Sequence, residues 1–157
     1  MSDDEEPTPE ELLTELLEEI VDALDLDGEI IVETTEDGLL GRVEGDELGL
    51  LIGRRGQTID AVQHLAQRIV YPDGSPSSPR VAVDAGGYRA RRAEEICAEA
   101  DDAAEEALET GRPVELESMS AAERRIVHEH LRDRSEVETH SEGEEPDRRL
   151  IISASGD

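Results

Sequence analysis

Lysine, phenylalanine and tryptophan are missing from this 157-residue chain, and cysteine occurs once. Without lysine, the glycines at 53 and 56 cannot belong to a nucleotide-binding P-loop, because its GxxxxGK(S/T) pattern needs that side chain to reach the phosphates. A single thiol, Cys97, excludes an intramolecular disulfide and a thiolate zinc cluster, and in a run that reads as helix it is a small packed side chain. No apolar run approaches the roughly 18 residues of a membrane span. Residues 1–7 are acidic and carry none of the features of a signal peptide. A soluble, cytoplasmic protein is expected, long enough for one ordinary domain or two compact ones.

Acid is plentiful: 42 Asp and Glu face 15 arginines, a formal net charge of −27. Such an excess opposes a nucleic-acid partner, because affinity for phosphates comes largely from cations that displace counterions. The distribution therefore matters more than the total. Residues 1–27 carry −12, residues 28–52 carry −6 and residues 93–118 carry −9. Residues 53–92 hold seven arginines against three acids, and residues 119–157 hold six against ten, so the arginines gather in two places. A cation set made of arginine alone fits a high-GC genome or a salty cytoplasm, where an acidic surface keeps protein hydrated. On either account the acid excess reports habitat rather than partner.

Thr8-Pro9-Glu10-Glu11 has the form of a capping box with proline at the first helical position. Leu12, Leu13, Leu16, Leu17, Ile20, Val21 and Leu24 continue at helical spacing toward a stop near Asp27-Gly28. Residues 29–34 read as a strand, 36–38 as a turn and 39–43 as the return strand. A short segment, 46–52, precedes Gly53-Arg54-Arg55-Gly56, after which Ile59, Val62, Leu65, Ala66, Ile69 and Val70 mark an amphipathic helix to about Tyr71. Residues 72–79, with three prolines and three serines, form a loop, and 80–84 a third strand. A long alanine-rich helix spans 88–110, ended by Gly111 and Pro113. Beyond it come a short strand at 114–117, a helix to Leu131 with Ser120 as N-cap and Glu123 as its capping-box partner, and strands at 137–139 and 149–152.

Two glycines around two arginines, between a short helix and a longer one, let the backbone pass close to a ligand without interference from a Cβ. Amides at the start of the following helix, around Gly56, Gln57, Thr58 and Ile59, add the positive end of the helix dipole. That combination suits a phosphodiester. Arg54 and Arg55 add charge at the loop tip, and an apolar surface of Leu50, Ile52 and Ile59 suits unstacked bases. Taken alone, the four residues are as readily a plain helix–helix turn. The longer tract Gly49-Leu-Leu-Ile-Gly53-Arg-Arg-Gly56-Gln-Thr-Ile-Asp-Ala-Val-Gln63 resembles the GXXG segment of a KH domain, and the element order matches the type II arrangement. More narrowly, Gly53 to Gln63 followed by Val83-Asp84 and Gly87-Tyr88-Arg89-Ala90-Arg91-Arg92 is similar to the Jag family, also called SpoIIIJ-associated or KhpB proteins.

Arg124 and His128 stand four apart on a predicted helix, so they project from one face and can approach one anionic group, with Arg125 and Arg132 in reach of neighbouring phosphates. An isolated pair of this kind is most often a solvated, salt-bridged helix face. Its setting, however, Met119-Ser-Ala-Ala-Glu-Arg124-Arg-Ile-Val-His128 and then Thr139-His-Ser141-Glu-Gly143-Glu-Glu-Pro146-Asp-Arg-Arg149, resembles the R-three-H (Arg-x-x-x-His) domain at the end of Jag proteins. The resemblance implies binding of single-stranded nucleic acid, with Arg124, Arg125 and His128 in a basic surface bordered by Thr139, Ser141, Arg148 and Arg149. His128 titrates near neutrality by default. His128, His130 and His140 lie near no cysteine, and the first two point in different directions from their helix, so no metal site is expected. No carboxylate pair is singled out by an apolar setting or a nucleophile, and neither catalysis nor a cofactor is expected.

The expected fold class is α+β: a type II KH module, α-β-β-α-α-β, followed by a small α/β R-three-H module joined to it by a long helix. The division is an acidic N-terminal helix over 1–28, the KH domain over 29–86, a connecting helix over 87–112 and the R-three-H domain over 113–155. A short acidic helix stands where longer family members have a separate N-terminal Jag domain and linker. The resemblance implies binding of single-stranded RNA, post-transcriptional regulation or RNA chaperoning, a link to envelope or division control, and pairing with a small stand-alone KH protein. In the expected mechanism Gly53, Arg54, Arg55, Gly56, Gln57 and Thr58 cradle the backbone of about four nucleotides while Arg124 and His128 hold a neighbouring stretch. Two readings rival this one: an acidic protein-interaction adapter, favoured by the net charge and the acidic first helix, and a binder of single-stranded DNA.

Overall fold

The structure, a computed structural model, describes residues 5–156, so the first four residues of the expected acidic segment 1–28 lie outside the described residues. The chain divides into two compact units, Met1–Arg89 and Ala90–Asp157. No helix is long and apolar enough among the described residues to cross a membrane.

The first unit runs α1 (Pro9–Ala23), β1 (Glu29–Thr34), β2 (Gly38–Glu44), α2 (Gly49–Ile52), a single 3₁₀ turn (Arg54–Gly56), α3 (Gln57–Val70) and β3 (Arg80–Ala85). This is the expected α-β-β-α-α-β order. Thr8 caps α1 through a reciprocal pair: its hydroxyl accepts from the Glu11 N–H at 3.2 Å, and the Glu11 carboxylate accepts from the Thr8 N–H at 2.8 Å. The helix ends at Ala23, several residues before the expected Asp27-Gly28. Asp25 takes a left-handed conformation there, φ 53°, and the Leu26 N–H returns to the Val21 carbonyl at 3.0 Å while that of Asp25 returns to Asp22 at 3.1 Å. An aspartate thus closes the helix in the manner glycine usually does.

β2 lies between β1, its antiparallel hairpin partner, and β3, which runs parallel to it. Leu39, Gly41 and Val43 of β2 and Val81, Val83 and Ala85 of β3 alternate onto one face, as period-2 geometry requires. Leu13, Leu17 and Val21 of α1 and Ile59, Val62, Ala66 and Val70 of α3 share one core with them. α1 approaches β2 where there is no side chain: a Cβ on Gly41 would stand 2.7 Å from a Leu17 methyl. Arg42 points to the opposite face and pairs with Glu33 at 3.0 Å and with Glu44.

The second unit holds most of α4 (Tyr88–Thr110), then β4 (Val114–Glu115), α5 (Ala121–Leu131), β5 (Val137–Glu142) and β6 (Arg149–Ala154). Its antiparallel sheet has β6 at the centre, between β4 and β5. Ile96, Ala100 and Ala104 of α4 meet Val127 and Leu131 of α5 and Leu150 and Ile152 of β6 in a second core. The alanines of α4 permit this close packing. Arg134, just beyond α5, pairs with Glu105 of α4 at 3.1 Å, and His130 reaches Asp101 at 2.9 Å. Cys97 is a half-buried free thiol on α4, pushed up in pKa by burial and then by the Asp101 charge. β5 is longer than expected because His140, Ser141 and Glu142, unpromising by propensity, pair with Ile151, Leu150 and Arg149.

Leu17 is fully enclosed between α1 and the sheet. Leu17→Ala is expected to lower stability by about 2–5 kcal/mol, read from urea unfolding of the full chain.

Candidate nucleic-acid interface

The loop between α2 and α3 is built from positive φ angles: Gly53 at 74°, Arg55 at 54° and Gly56 at 77°. The two glycines carry this because a side chain fits at neither. A Cβ on Gly53 would lie 2.2 Å from the Thr58 hydroxyl oxygen, and one on Gly56 would lie 2.6 Å from the Tyr88 ring. Arg55 holds the left-handed conformation without being glycine, a costly state that accompanies functional loops. Gly56 is the N-cap of α3, and no side chain caps the helix. The Gln57 N–H returns to the Arg54 carbonyl of the 3₁₀ turn, and the positive end of the 14-residue helix lies at the loop.

Around this backbone, Arg54 and Gln57 are exposed, Arg55 and Thr58 half-buried. No carboxylate pairs with Arg54 among the described residues. Leu50, beside the loop, is 65% exposed, whereas Ile59 is fully buried in the core. Ile59 therefore forms no part of the apolar surface expected for bases, while Ile52 is half-buried.

Sequence reading missed the network that holds α3 to β3. The Gln63 Oε1 accepts from the Val83 N–H at 2.9 Å, and the Gln67 Oε1 accepts from the Val81 N–H at 2.8 Å, so two side chains cap the open edge of β3. Arg89 completes it, donating to the Val83 carbonyl at 2.8 Å, to Asp60 at 2.9 Å and to Gln63 at 3.1 Å. The available signal was the spacing of Asp60, Gln63 and Gln67, which places all three on one flank of α3.

The second unit arranges its signature residues differently from a row of free cations. Arg124 is 7% exposed. One of its terminal nitrogens donates to the Met119 carbonyl at 2.6 Å, and the other pairs with Glu145 in the β5–β6 connection. Arg124 and Arg148 both brace that connection, since Arg148 donates to the carbonyls of Gly143 at 2.6 Å and Ser141 at 3.3 Å. Arg149 pairs with Glu115 on the neighbouring strand. Arg125 is exposed and pairs with Glu129 at 3.1 Å, a surface contact of about 0.3–0.5 kcal/mol at most, while Arg132 is exposed with no ion pair among the described residues.

His128 Nδ1 meets the Thr139 hydroxyl at 2.5 Å, joining α5 to β5. Its pKa is lowered, first by burial, then by the Arg124 charge and then by His140. The ring is therefore neutral at physiological pH, a hydrogen-bonding group rather than a fixed charge.

Two measurements follow from this geometry. A valine at Gly56 combines an unfavourable φ with a clash against Tyr88, so Gly56→Val is expected to lower the thermal midpoint of the full chain by several degrees. Because folding lowers the His128 pKa, the folded chain binds fewer protons than the unfolded one between the two values. The penalty is absent above the ordinary value of 6.5 and grows as the pH falls from there toward the folded-state pKa. His128→Gln should therefore flatten the fall in melting temperature below that pH, seen as the difference between the two melting curves.

A family model described as the KhpA/KhpB, KH domain matches residues 10–83, and the R-three-H domain model matches residues 94–154. The chain is 41% identical over 141 residues to a protein of Clostridium symbiosum named RNA-binding protein KhpB, covering 88% of this chain and 63% of that one. It is 33% identical over 141 residues to the Bacillus subtilis protein of the same name, covering 87% and 66%. With the Lactiplantibacillus plantarum protein of that name the identity is 39% over 105 residues, covering 67% and 32%. The chain thus spans under two thirds of the length of the first and third of these relatives and 66% of the second. With a KhpA/KhpB-type KH domain followed by an R-three-H domain, the chain belongs to the Jag, or KhpB, family.

Proposed function

We propose that this chain is a single-stranded RNA-binding protein and not an enzyme, with the loop 53–56 as its main contact. The observation that carries the reading is the start of α3, with no side-chain cap, behind two positive-φ glycines and flanked by the exposed Arg54, which has no ion pair among the described residues. A phosphodiester finds a helix dipole and a cation converging there, without a Cβ in the way. Gly53, Arg54, Arg55, Gly56, Gln57 and Thr58 form that cradle. The RNA-binding names of the relatives support RNA over single-stranded DNA.

In the second unit, His128 with Thr139, Arg125 and Arg132 supplies the contact surface, and Ser141 borders it. Arg124, Arg148 and Arg149 act by holding the hairpin that borders this surface, since their guanidinium groups are engaged within the chain. Two weak contacts on one strand gain affinity from their linkage. In the cell this reading makes the chain a cytoplasmic RNA chaperone or post-transcriptional regulator with a link to envelope or division control, working with a small stand-alone KH protein.

Fluorescence anisotropy of a labelled single-stranded RNA, across several potassium concentrations, tests the assignment. Wild type is expected to bind, and the Arg54→Asp/Arg55→Asp variant to lose at least about tenfold in affinity with its melting curve retained. Folded wild type that binds no RNA at any salt would overturn the reading in favour of an acidic protein-interaction adapter.

A further inference from the structure

We propose that the RNA strand held at loop 53–56 continues along the outward face of α3, where Arg68 takes a phosphate and His64 offers a ring on which a base stacks. The inference rests on the RNA-binding reading above and assigns a contact surface beyond the loop.

The faces of α3 follow from what each side chain touches. Ile59, Val62, Ala66 and Val70 are buried in the core, and Gln63 and Gln67 are tied to the outer edge of β3. Leu65 and Ile69 fall on the opposite flank, beside α1. Gln57, Ala61, His64 and Arg68 remain, spaced i, i+4, i+7 and i+11. They form a single row that points away from the core and is exposed throughout. The row opens at the residue after Gly56 and extends about 16 Å to Arg68. That length holds about four nucleotides at the ~3.4 Å rise of a stacked strand.

Charge sets this row apart. Every exposed residue of α1 except Ala23 is a carboxylate, whereas no exposed residue of α3 is. The one acid of α3, Asp60, is half-buried and paired with Arg89 at 2.9 Å. The side chains of His64 and Arg68 make no hydrogen bond or ion pair among the described residues. A polyanion leaving the loop is thus repelled along α1 and meets no exposed acid on α3. At the far end Arg68 is a cation whose counterions a phosphate can displace. The chain has no Phe or Trp, and both tyrosines are half-buried, so His64 is the exposed ring of the first unit on which a base can lie.

Arg68→Gln removes one cation and no bond within the chain, so its melting curve is expected to match wild type. Its affinity for a labelled oligo(U) long enough to cover the loop and the row is read by anisotropy on the full chain, across potassium concentrations. The slope of log affinity against log salt is expected to become shallower by about 0.7, the share of one phosphate contact on a single strand, which is about fivefold weaker binding at ~0.1 M salt. Arg112→Gln removes the same charge from an exposed arginine beyond α4, also without an ion pair among the described residues, and is expected to keep the wild-type slope. Ala61→Glu sets a carboxylate midway along the row and is expected to weaken the same RNA severalfold. A wild-type slope in Arg68→Gln, an equal loss in Arg112→Gln, or unchanged affinity in Ala61→Glu overturns the assignment and leaves the loop reading standing. Wild type that binds no RNA overturns both.

Discussion

One guanidinium organises the first unit. Arg89 reaches the Val83 carbonyl, Asp60 and Gln63, while its own backbone N–H is held by Asp84 at 3.2 Å. Through these bonds the flank of α3, the end of β3 and the first turn of α4 become one piece. Because Tyr88 precedes Arg89, the same anchoring sets the ring against Gly56 and so backs the glycine loop. Asp60, Gln63, Val83, Asp84, Tyr88 and Arg89 lie up to 29 positions apart in the sequence. In space they are linked through these contacts.

Charge acts as a second constraint, one that narrows where an anion can be received. In the second unit Arg92, Arg124, Arg134 and Arg149 are held by carboxylates of the chain itself, and Arg148 by carbonyls. Signature residues there are therefore part of the hairpin's construction. In the first unit Arg54, Arg68 and Arg80 carry no ion pair among the described residues. An acidic surface of this extent confines phosphate to the few places where a cation or an uncapped helix start outweighs it.

Most elements were legible because their local signals agreed with the fold. The capping boxes at Thr8 and Ser120 formed as their side chains dictate, and α4 occupies the expected 88–110. The discrepancies have tertiary causes. The left-handed Asp25 shortened α1, since aspartate tolerates that conformation but does not announce it. Pairing with an apolar β6 drew the polar residues 140–142 into β5. The place of the glycine loop between a short helix and a longer one was readable, since Gly53 and Gly56 interrupt the helical pattern. The burial of Arg124 was not, because Glu145 lies 21 residues away in a connection whose path the sequence does not reveal. Helical spacing correctly puts Arg124 and His128 on one side of α5, but it does not say whether that side faces water or a hairpin.

The glutamines of α3 have a consequence for how this chain behaves in company. An open strand edge is a template on which another chain can build, and proteins that crowd together along a nucleic acid meet one another at high local concentration. With Val81 and Val83 already bonded to Gln67 and Gln63, β3 offers those two amides to no incoming strand. The sheet's other border, β1, carries Glu29 and Glu33, charges that resist the same growth. The side chains that tie α3 to β3 thus also work against copies of the chain merging into a shared sheet.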